Sequence, residues 1–332
     1  MDLKSQILHL LKTSDEFVSG QELCDKFQVS RTAIWKNMNL LKEEGYDIQA
    51  VRNKGYLLKE TGDVLNEKEI EEFLHTKYMA QEIHYFKETD STNIRAKVLA
   101  QQGAGDGTLV VAEKQTEGRG RRGRVWESPE GEAIYMSLIL KPQIHPSDAS
   151  TLTLVMALSL ARAFTEIYGF PPEENEVQIK WPNDLVVHKK KVTGILTEMS
   201  ADMDSVHYLV IGVGINVNNS QMPKEVSEHG TSLFMETGKR ERRCKLIARV
   251  MECFEEDYET FLKSSDISLL KDAYESYLVN KGAMVKVLDP KGGYIAKAKG
   301  IDAKGQLIVE RNGEEIPVYA GEVSVRGIYG YV

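Results

Sequence analysis

Apolar residues recur at helical spacing three times in the first forty-one positions. Leu3, Ile7, Leu8, Leu10 and Leu11 predict a short helix ending near Thr13 and Ser14. Ser19, with Glu22 at the capping-box position, opens a second helix that turns Leu23 and Phe27 inward. After a tight turn at Gln28 and Val29, Ser30 opens a third, carrying Ile34, Met38 and Leu41. Beyond Gly45 the pattern becomes strand-like on either side of Arg52 to Gly55, a hairpin with a basic tip. Helix, turn, helix and hairpin together predict a winged helix-turn-helix. Its third helix leaves Arg31, Thr32, Lys36 and Asn37 outward, beside the capping Ser30, where a recognition helix meets bases and phosphates. With Arg52 and Lys54 of the hairpin they are the candidate DNA-binding residues.

From residue 65 to 275 strand-like and helical stretches alternate. Strands are expected at Ile83 to Phe86, Gly107 to Gln115, Ala133 to Leu140, Val177 to Trp181, Val192 to Met199 and Tyr208 to Val213. Helices are expected at Ile94 to Gln101, Ala149 to Ile167 and Arg242 to Lys263. From Met284 onward the chain reads as five short strands, the last at Glu322 to Val325, with a strong hairpin signal at Asn312 and Gly313. That is the size of a small SH3-like β-barrel. The expected architecture is therefore a central mixed-sheet α/β (α+β) domain at 65–275, a winged helix-turn-helix at 1–64 and an SH3-like barrel at 276–332.

One stretch breaks the periodicity. Gly118 to Arg124 packs four arginines and three glycines into seven residues and is followed by Trp126. Glycine loses much entropy on ordering, and arginine is costly to bury without an anion, so this loop should be mobile until an anion neutralises it. Set between two strands, it has the character of an active-site lid or anion clamp.

Composition narrows the classes. A chain of 332 residues with 42% hydrophobic content can fill a sizeable core in two or three domains. The absence of an eighteen-residue apolar run or a signal-like start points to a cytoplasmic protein without membrane contact. Cys24, Cys244 and Cys253 suit neither a disulfide framework nor a zinc site. The net charge of −8 argues against non-specific coating of nucleic acid. Residues 1 to 60 hold nine basic and nine acidic side chains, which leaves room for a local basic face.

Further candidate chemistry sits at strand ends. Ser91, Thr92 and Asn93 lie at a strand-to-helix junction, where helix capping competes with ligand binding as their purpose, and Gln115 ends the next strand. In Lys180-Trp-Pro-Asn183-Asp184 the proline ends a strand beside a lysine, an amide and a carboxylate, a set suited to phosphates and magnesium. Of Lys189, Lys190 and Lys191, strand parity turns Lys191 or Lys189 inward. Gly212 and Gly214 form only a GxG ahead of Asn216 and Asn218, and no P-loop sequence occurs, so a nucleotide would be held by the arginine loop.

The ordered set S-T-N, G-R-G-R-R-G-R-V-W, K-W-P-N-D, K-V-T-G-I-L and G-V-G-I-N-V is similar to the motifs of biotin protein ligases. The added winged helix resembles the bifunctional members that also repress biotin operons. The resemblance covers the whole chain. It implies that biotin and Mg-ATP form biotinyl-5'-adenylate, and that a carrier-domain lysine of acetyl-CoA carboxylase or another biotin-dependent carboxylase then takes the biotinyl group. By motif, it assigns Ser91, Thr92, Asn93, Gln115, Gly118, Arg119, Gly120, Arg121 and Lys191 to biotin. Arg121, Arg124, Trp126, Lys180, Asn183, Gly194 and Asn216 fall to ATP, and Asp184 to magnesium. Lys191, Arg121 and Asp184 are the implied catalytic groups. Operator DNA and a homodimer promoted by biotinyl-5'-adenylate are the further implied partners, with edge strands near Thr197 to Met203 as a candidate dimer surface. The competing expectations are a lipoate or octanoate ligase and a non-enzymatic biotin-sensing regulator.

Overall fold

The computed structural model describes all residues except 1, 60–61, 171–175, 225, 289–291, 321–323 and 328–330. Contacts divide the chain into two compact units, Met1–Glu69 and Ile70–Val332. In the first, α1 (Leu3–Lys12), α2 (Gly20–Phe27) and α3 (Arg31–Glu43) precede the hairpin of β1 (Ile48–Val51) and β2 (Gly55–Leu58). The side chains of Asp2, Ser19 and Ser30 each accept an N–H three residues on, satisfying one exposed donor at the start of each helix. Ile7, Leu11, Leu23, Ile34, Met38 and Leu41 fill the core below them. The predicted winged helix is the observed one. Helix α4 (Glu67–Glu71) runs across the division.

The second unit is built on a seven-stranded sheet ordered β3-β4-β5-β9-β8-β7-β6. Its strands are β3 (Ile83–Phe86), β4 (Leu109–Ala112), β5 (Ala133–Leu140), β6 (Val177–Lys180), β7 (Asp184–Val187), β8 (Lys190–Ala201) and β9 (Val206–Asn216). Only β3 and β4 pair in parallel. Helix α5 (Thr92–Gln101) lies on one face, where Ala96 and Ala100 pack with Val110, Ile139 and Val210. Helices α6 (Thr151–Tyr168) and α8 (Arg243–Ser264) pack on each other, and α6 reaches β6, β7 and β8. Every residue of β5 is buried, which is why that strand is apolar throughout apart from Ser137 and the Tyr135 hydroxyl. The stretch Pro146–Tyr168 is apolar and long enough to cross a membrane, but 72% of its most apolar window is buried in the fold, so it serves as a core helix. The short α7 (Leu233–Thr237) and α9 (Lys271–Tyr277) complete the helices.

One expectation changes here. The strand foreseen over Gly107 to Gln115 is only the four residues of β4, because the chain leaves the sheet toward the arginine loop. The edge expected near Thr197 to Met203 is the far half of β8: β7 pairs with β8 only as far as Gly194, and Thr197–Ala201 pair with β9 alone.

The C-terminal barrel is not formed. Strands β10 (Met284–Leu288), β11 (Tyr294–Ile301), β12 (Leu307–Arg311), β13 (Glu314–Val318) and β14 (Ser324–Gly327) make an open antiparallel sheet ordered β13-β12-β11-β10-β14. A barrel needs its terminal strands to pair, and among the described residues β13 and β14 stay at opposite edges. Residues 322 and 323 of the expected last strand, and residues 289 to 291 of the expected turn, lie outside the described residues.

Candidate functional site

The register of β8 and β9 builds the floor of the site. Gly194 pairs with Gly214, leaving a patch of bare backbone on which the indole of Trp126 lies. A Cβ at Gly214 would stand 2.7 Å from the indole, and one at Gly212 would stand 2.0 Å from Oδ1 of Asn93. Glycine is required at both because another group occupies the side-chain space.

Over this floor opens a cleft of about 470 Å³ including its mouth. Of the sequence candidates, Ser91, Thr92, Asn93, Gln115, Arg119, Gly120, Arg121, Trp126, Asn183, Lys191 and Gly194 line it. At one end, Ser91 stands at the N-cap of α5 but its side chain caps nothing. Gln115 Oε1 accepts from the amide of Thr92 at 2.8 Å and from its hydroxyl at 3.1 Å, while Gln115 Nε2 donates to Ser128 at 2.9 Å. Ser137, in the middle of apolar β5, donates to Thr92 Oγ1 at 2.8 Å and to Asn93 Oδ1 at 2.6 Å. Asn93 also donates to Glu198 at 2.8 Å, so its amide is held from both sides. Ser128 donates in turn to the carbonyl of Trp126, so a hydrogen-bonded chain runs from β5 to the arginine loop. The sequence expectations did not include Ser137 or Ser128, although one serine within A-I-Y-M-S-L-I-L was a visible signal.

In the structure the loop is folded as a tight hairpin. The amide of Trp126 donates to Gly118, and that of Gly120 to Arg124 at 2.7 Å; Arg122 turns the tip with φ 59°. Arg121 reaches inward and donates to Asn183 Oδ1 at 2.8 Å and to the carbonyl of Ala320. Burial pushes its acidity up, and Arg122 and Arg124 add repulsion. Asp184 opposes this from a distance, and among the described residues Arg121 forms no ion pair. Arg119 is exposed near Glu117, Arg124 is exposed, and Gly118 is buried behind Trp126. Nε1 of Trp126 is buried with no acceptor among the described residues, a state that costs about 1–3 kcal/mol unless a ligand supplies one.

At the other end, Lys191 Nζ donates to Asp184 Oδ1 at 2.6 Å and lies 5.3 Å from the Trp126 ring centre. Lys189 and Lys190 are exposed, so Lys191 alone of the three turns inward. A cis Trp181–Pro182 bond precedes β7, and Asp184 pairs across from Lys180. Burial pushes the Asp184 carboxyl up, but Lys191 and the hydroxyl of Tyr331 more than offset it and hold the group below the ordinary carboxylate range. Burial pushes Lys180 down to about 8. Asn216 lies apart from the cleft lining and donates to Thr231 at 3.0 Å.

Asp184 carries the magnesium expectation. Both its oxygens are engaged, one by Lys191 and the other by Tyr331. Among the described residues no three His, Cys, Asp or Glu side chains converge as a cation cage. These residues do not fit a protein-held magnesium, and the ion is treated below as part of the Mg-ATP substrate.

In the first unit, Arg31, Thr32, Lys36, Arg52 and Lys54 are exposed. Arg31 donates to Gln21 at 2.8 Å, and Asn37 donates to Ala33 in its own helix at 2.8 Å. Trp35, one turn beyond Arg31 and 60% exposed, is an addition that the helical pattern did not single out.

Comparison with known proteins agrees with this layout. The biotin/lipoate A/B protein ligase family matches residues 85–216, an HTH domain 4–57, and the biotin protein ligase C-terminal domain 282–326. The bifunctional ligase/repressor BirA of Bacillus subtilis is 38% identical over 326 residues, covering 97% of this chain and 98% of its own. That of Escherichia coli is 30% identical over 317 residues, covering 95% of each. A structure of the biotin protein ligase from Aquifex aeolicus in complex with biotin and ATP matches with a TM-score of 0.64 and 34% identity, covering 74% of this chain and 99% of that one. The chain belongs to the BirA-type family of bifunctional biotin ligase/repressors.

Proposed function

We propose that the cleft joins biotin to Mg-ATP and then passes the biotinyl group to a lysine of a biotin carboxyl-carrier domain. In the first step a carboxylate oxygen of biotin attacks the α-phosphorus, the bond to the β-phosphate oxygen breaks, and pyrophosphate leaves. In the second the lysine amine attacks the acyl carbon, AMP departs, and the amine loses a proton. The observation that carries this is the single cleft with hydroxyls and an amide at one end and Arg121 with Lys191 at the other.

The roles follow from charge. Two anions must approach in the first step, and Lys191 and Arg121 supply positive charge where it is needed, with little reorganisation. Asp184 orients Lys191 through its 2.6 Å hydrogen bond. Ser91, Thr92 and Gln115 offer donors and acceptors to the ureido ring, with Arg119 and the backbone of Gly118 and Gly120 enclosing that side. Asn93 keeps the helix terminus in place. Trp126 walls the adenine side, with Arg124, Lys180, Asn183, Gly194 and Asn216 as the nucleotide-side groups. The folded loop excludes water from an acyl-adenylate that water would otherwise cleave.

Residues 1–64 are assigned to operator DNA, 65–275 to catalysis and 276–332 to a C-terminal module bordering the site. For DNA, Ser30, Arg31, Thr32, Lys36 and Asn37 on α3 and Arg52 and Lys54 on the hairpin are the proposed contacts, and Trp35 adds an apolar face suited to a thymine methyl. A homodimer promoted by biotinyl-5'-adenylate would pair two such units on two half-sites. The setting is cytoplasmic, where ATP and carrier domains meet. Pyrophosphate release with Mg-ATP is expected with biotin and not with octanoate or lipoate; the reverse preference would favour a lipoate-type ligase, and no release with any acid a non-enzymatic sensor.

A further inference from the structure

Tyr331 occupies a constrained place that no step above uses. Its hydroxyl donates to Asp184 Oδ2. Its ring centre lies 3.3 Å from Nζ of Lys180 and 5.8 Å from the ring of His229, nearly parallel to it. His229 belongs to the loop that steadies Lys191, since its carbonyl accepts the Lys191 amide at 2.6 Å. One phenol thus touches the carboxylate that orients Lys191, a second lysine and the supporting loop.

Lys180 gives this contact its meaning. It is 5% exposed, and among the described residues its ammonium makes no hydrogen bond and no ion pair within 4 Å; Asp184, opposite it on β7, acts on it only from further off. The group in contact with that ammonium is the face of Tyr331, a weaker partner than an anion. A buried cation with no anion in contact is costly, and it is suited to a ligand that brings negative charge. A phosphate oxygen bonded to an ammonium needs a separation near 2.8 Å. The ring already holds the close position.

We propose that Tyr331 is a nucleotide-site residue that covers the ammonium of Lys180 and gives it up to the phosphates of ATP, so that its displacement sets the affinity for nucleotide. This rests on the adenylation reading above. Chemically, a neutral π face is exchanged for an anion at the same lysine, and the hydrogen bond from Tyr331 to Asp184 is released in the same movement. No covalent bond changes.

The test compares the parent with Tyr331→Ala and Tyr331→Phe in adenylate formation at varied ATP. Tyr331→Ala is expected to lower the KM for ATP about fivefold and to leave that for biotin within twofold. Tyr331→Phe keeps the ring but loses the tie to Asp184, and should lower the KM for ATP about twofold. An ATP KM that is unchanged or raised in both variants overturns the proposal. A second measurement does not depend on a variant folding: nitration of Tyr331 by tetranitromethane, mapped by peptide mass, with biotin alone and with biotin plus α,β-methylene-ATP. Faster nitration with the nucleotide supports displacement; equal or slower nitration contradicts it. A parent protein that forms no adenylate from biotin and ATP would instead overturn the adenylation reading, and that outcome is seen before any variant is made.

Discussion

The indole of Trp126 rests on Gly214, so close that a methyl group at that glycine would stand 2.7 Å from the ring. The arginine loop is therefore anchored to the sheet by an aromatic ring on bare backbone. The anchor depends on two strands agreeing in register at Gly194 and Gly214.

Gly214→Ala should lift Trp126 and the loop with it. Overpacking of this kind costs about 1–3 kcal/mol at the contact, and adenylate formation should fall at least tenfold while the melting temperature falls by no more than several degrees. Gly212→Ala should act at the opposite end by driving Asn93 off Ser137, so that biotin binding, measured by calorimetry, weakens first. Parental kinetics in both variants would show that neither close approach matters.

Lys191→Ala should reduce adenylate formation by about a hundredfold or more, of the order expected for loss of one charge at a reacting centre, against roughly 1–3 kcal/mol of stability. Asp184 is held below its ordinary range, so its contribution is present above the unfolded value near pH 4 and is lost as pH falls through the folded value. Removing Lys191 lets burial dominate and raises that group. The gap in unfolding midpoint between parent and variant should therefore narrow in acid, which denaturation at pH 3 and pH 7 would check. An unchanged adenylate yield would remove Lys191 from the chemistry.

Arg121→Gly breaks the link from the loop to Asn183 and Ala320. It should shorten the residence of the intermediate, read as free biotinyl-adenylate in solution and biotin on unselected lysines of bystander protein. Retention as tight as in the parent would count against the loop as a closure.

Burial brings Lys180 down to about 8. A lysine lowered in the folded state binds fewer protons than when unfolded between that value and the ordinary 10.5, so stability should rise with pH across that window. The charge available to phosphate falls over the same range, and the KM for ATP should rise between pH 7.5 and 9.5. In Lys180→Arg the charge persists and the rise should flatten; an identical profile in both proteins would place the titration elsewhere.

What the sequence disclosed and what it hid divide by the range of the interactions. The helices of the first unit were legible because capping serines and 3.6-residue spacing are local, and Ser19 and Ser30 act where they stand in the chain. Eleven candidate residues, from four separate motifs and the strand-end Gln115, line one cleft, because each lies at a strand end or turn with its own local signature. The contacts of Ser137, Ala320 and Tyr331 depend on register and on chain far removed in sequence, and the residues themselves are ordinary in composition. The barrel expectation failed for the same reason: five short strands fix the number of strands, but whether the first and last pair is settled by long-range packing that turn signals do not encode.

The central claim is transfer of biotin to another protein through an adenylate made in this cleft. It is tested most directly by incubating the purified protein with biotin, Mg-ATP and an isolated carrier domain and measuring the intact mass of the carrier. A gain of one biotinyl group that needs both ATP and the single carrier lysine is the predicted result. An unmodified carrier in the presence of folded protein would contradict it.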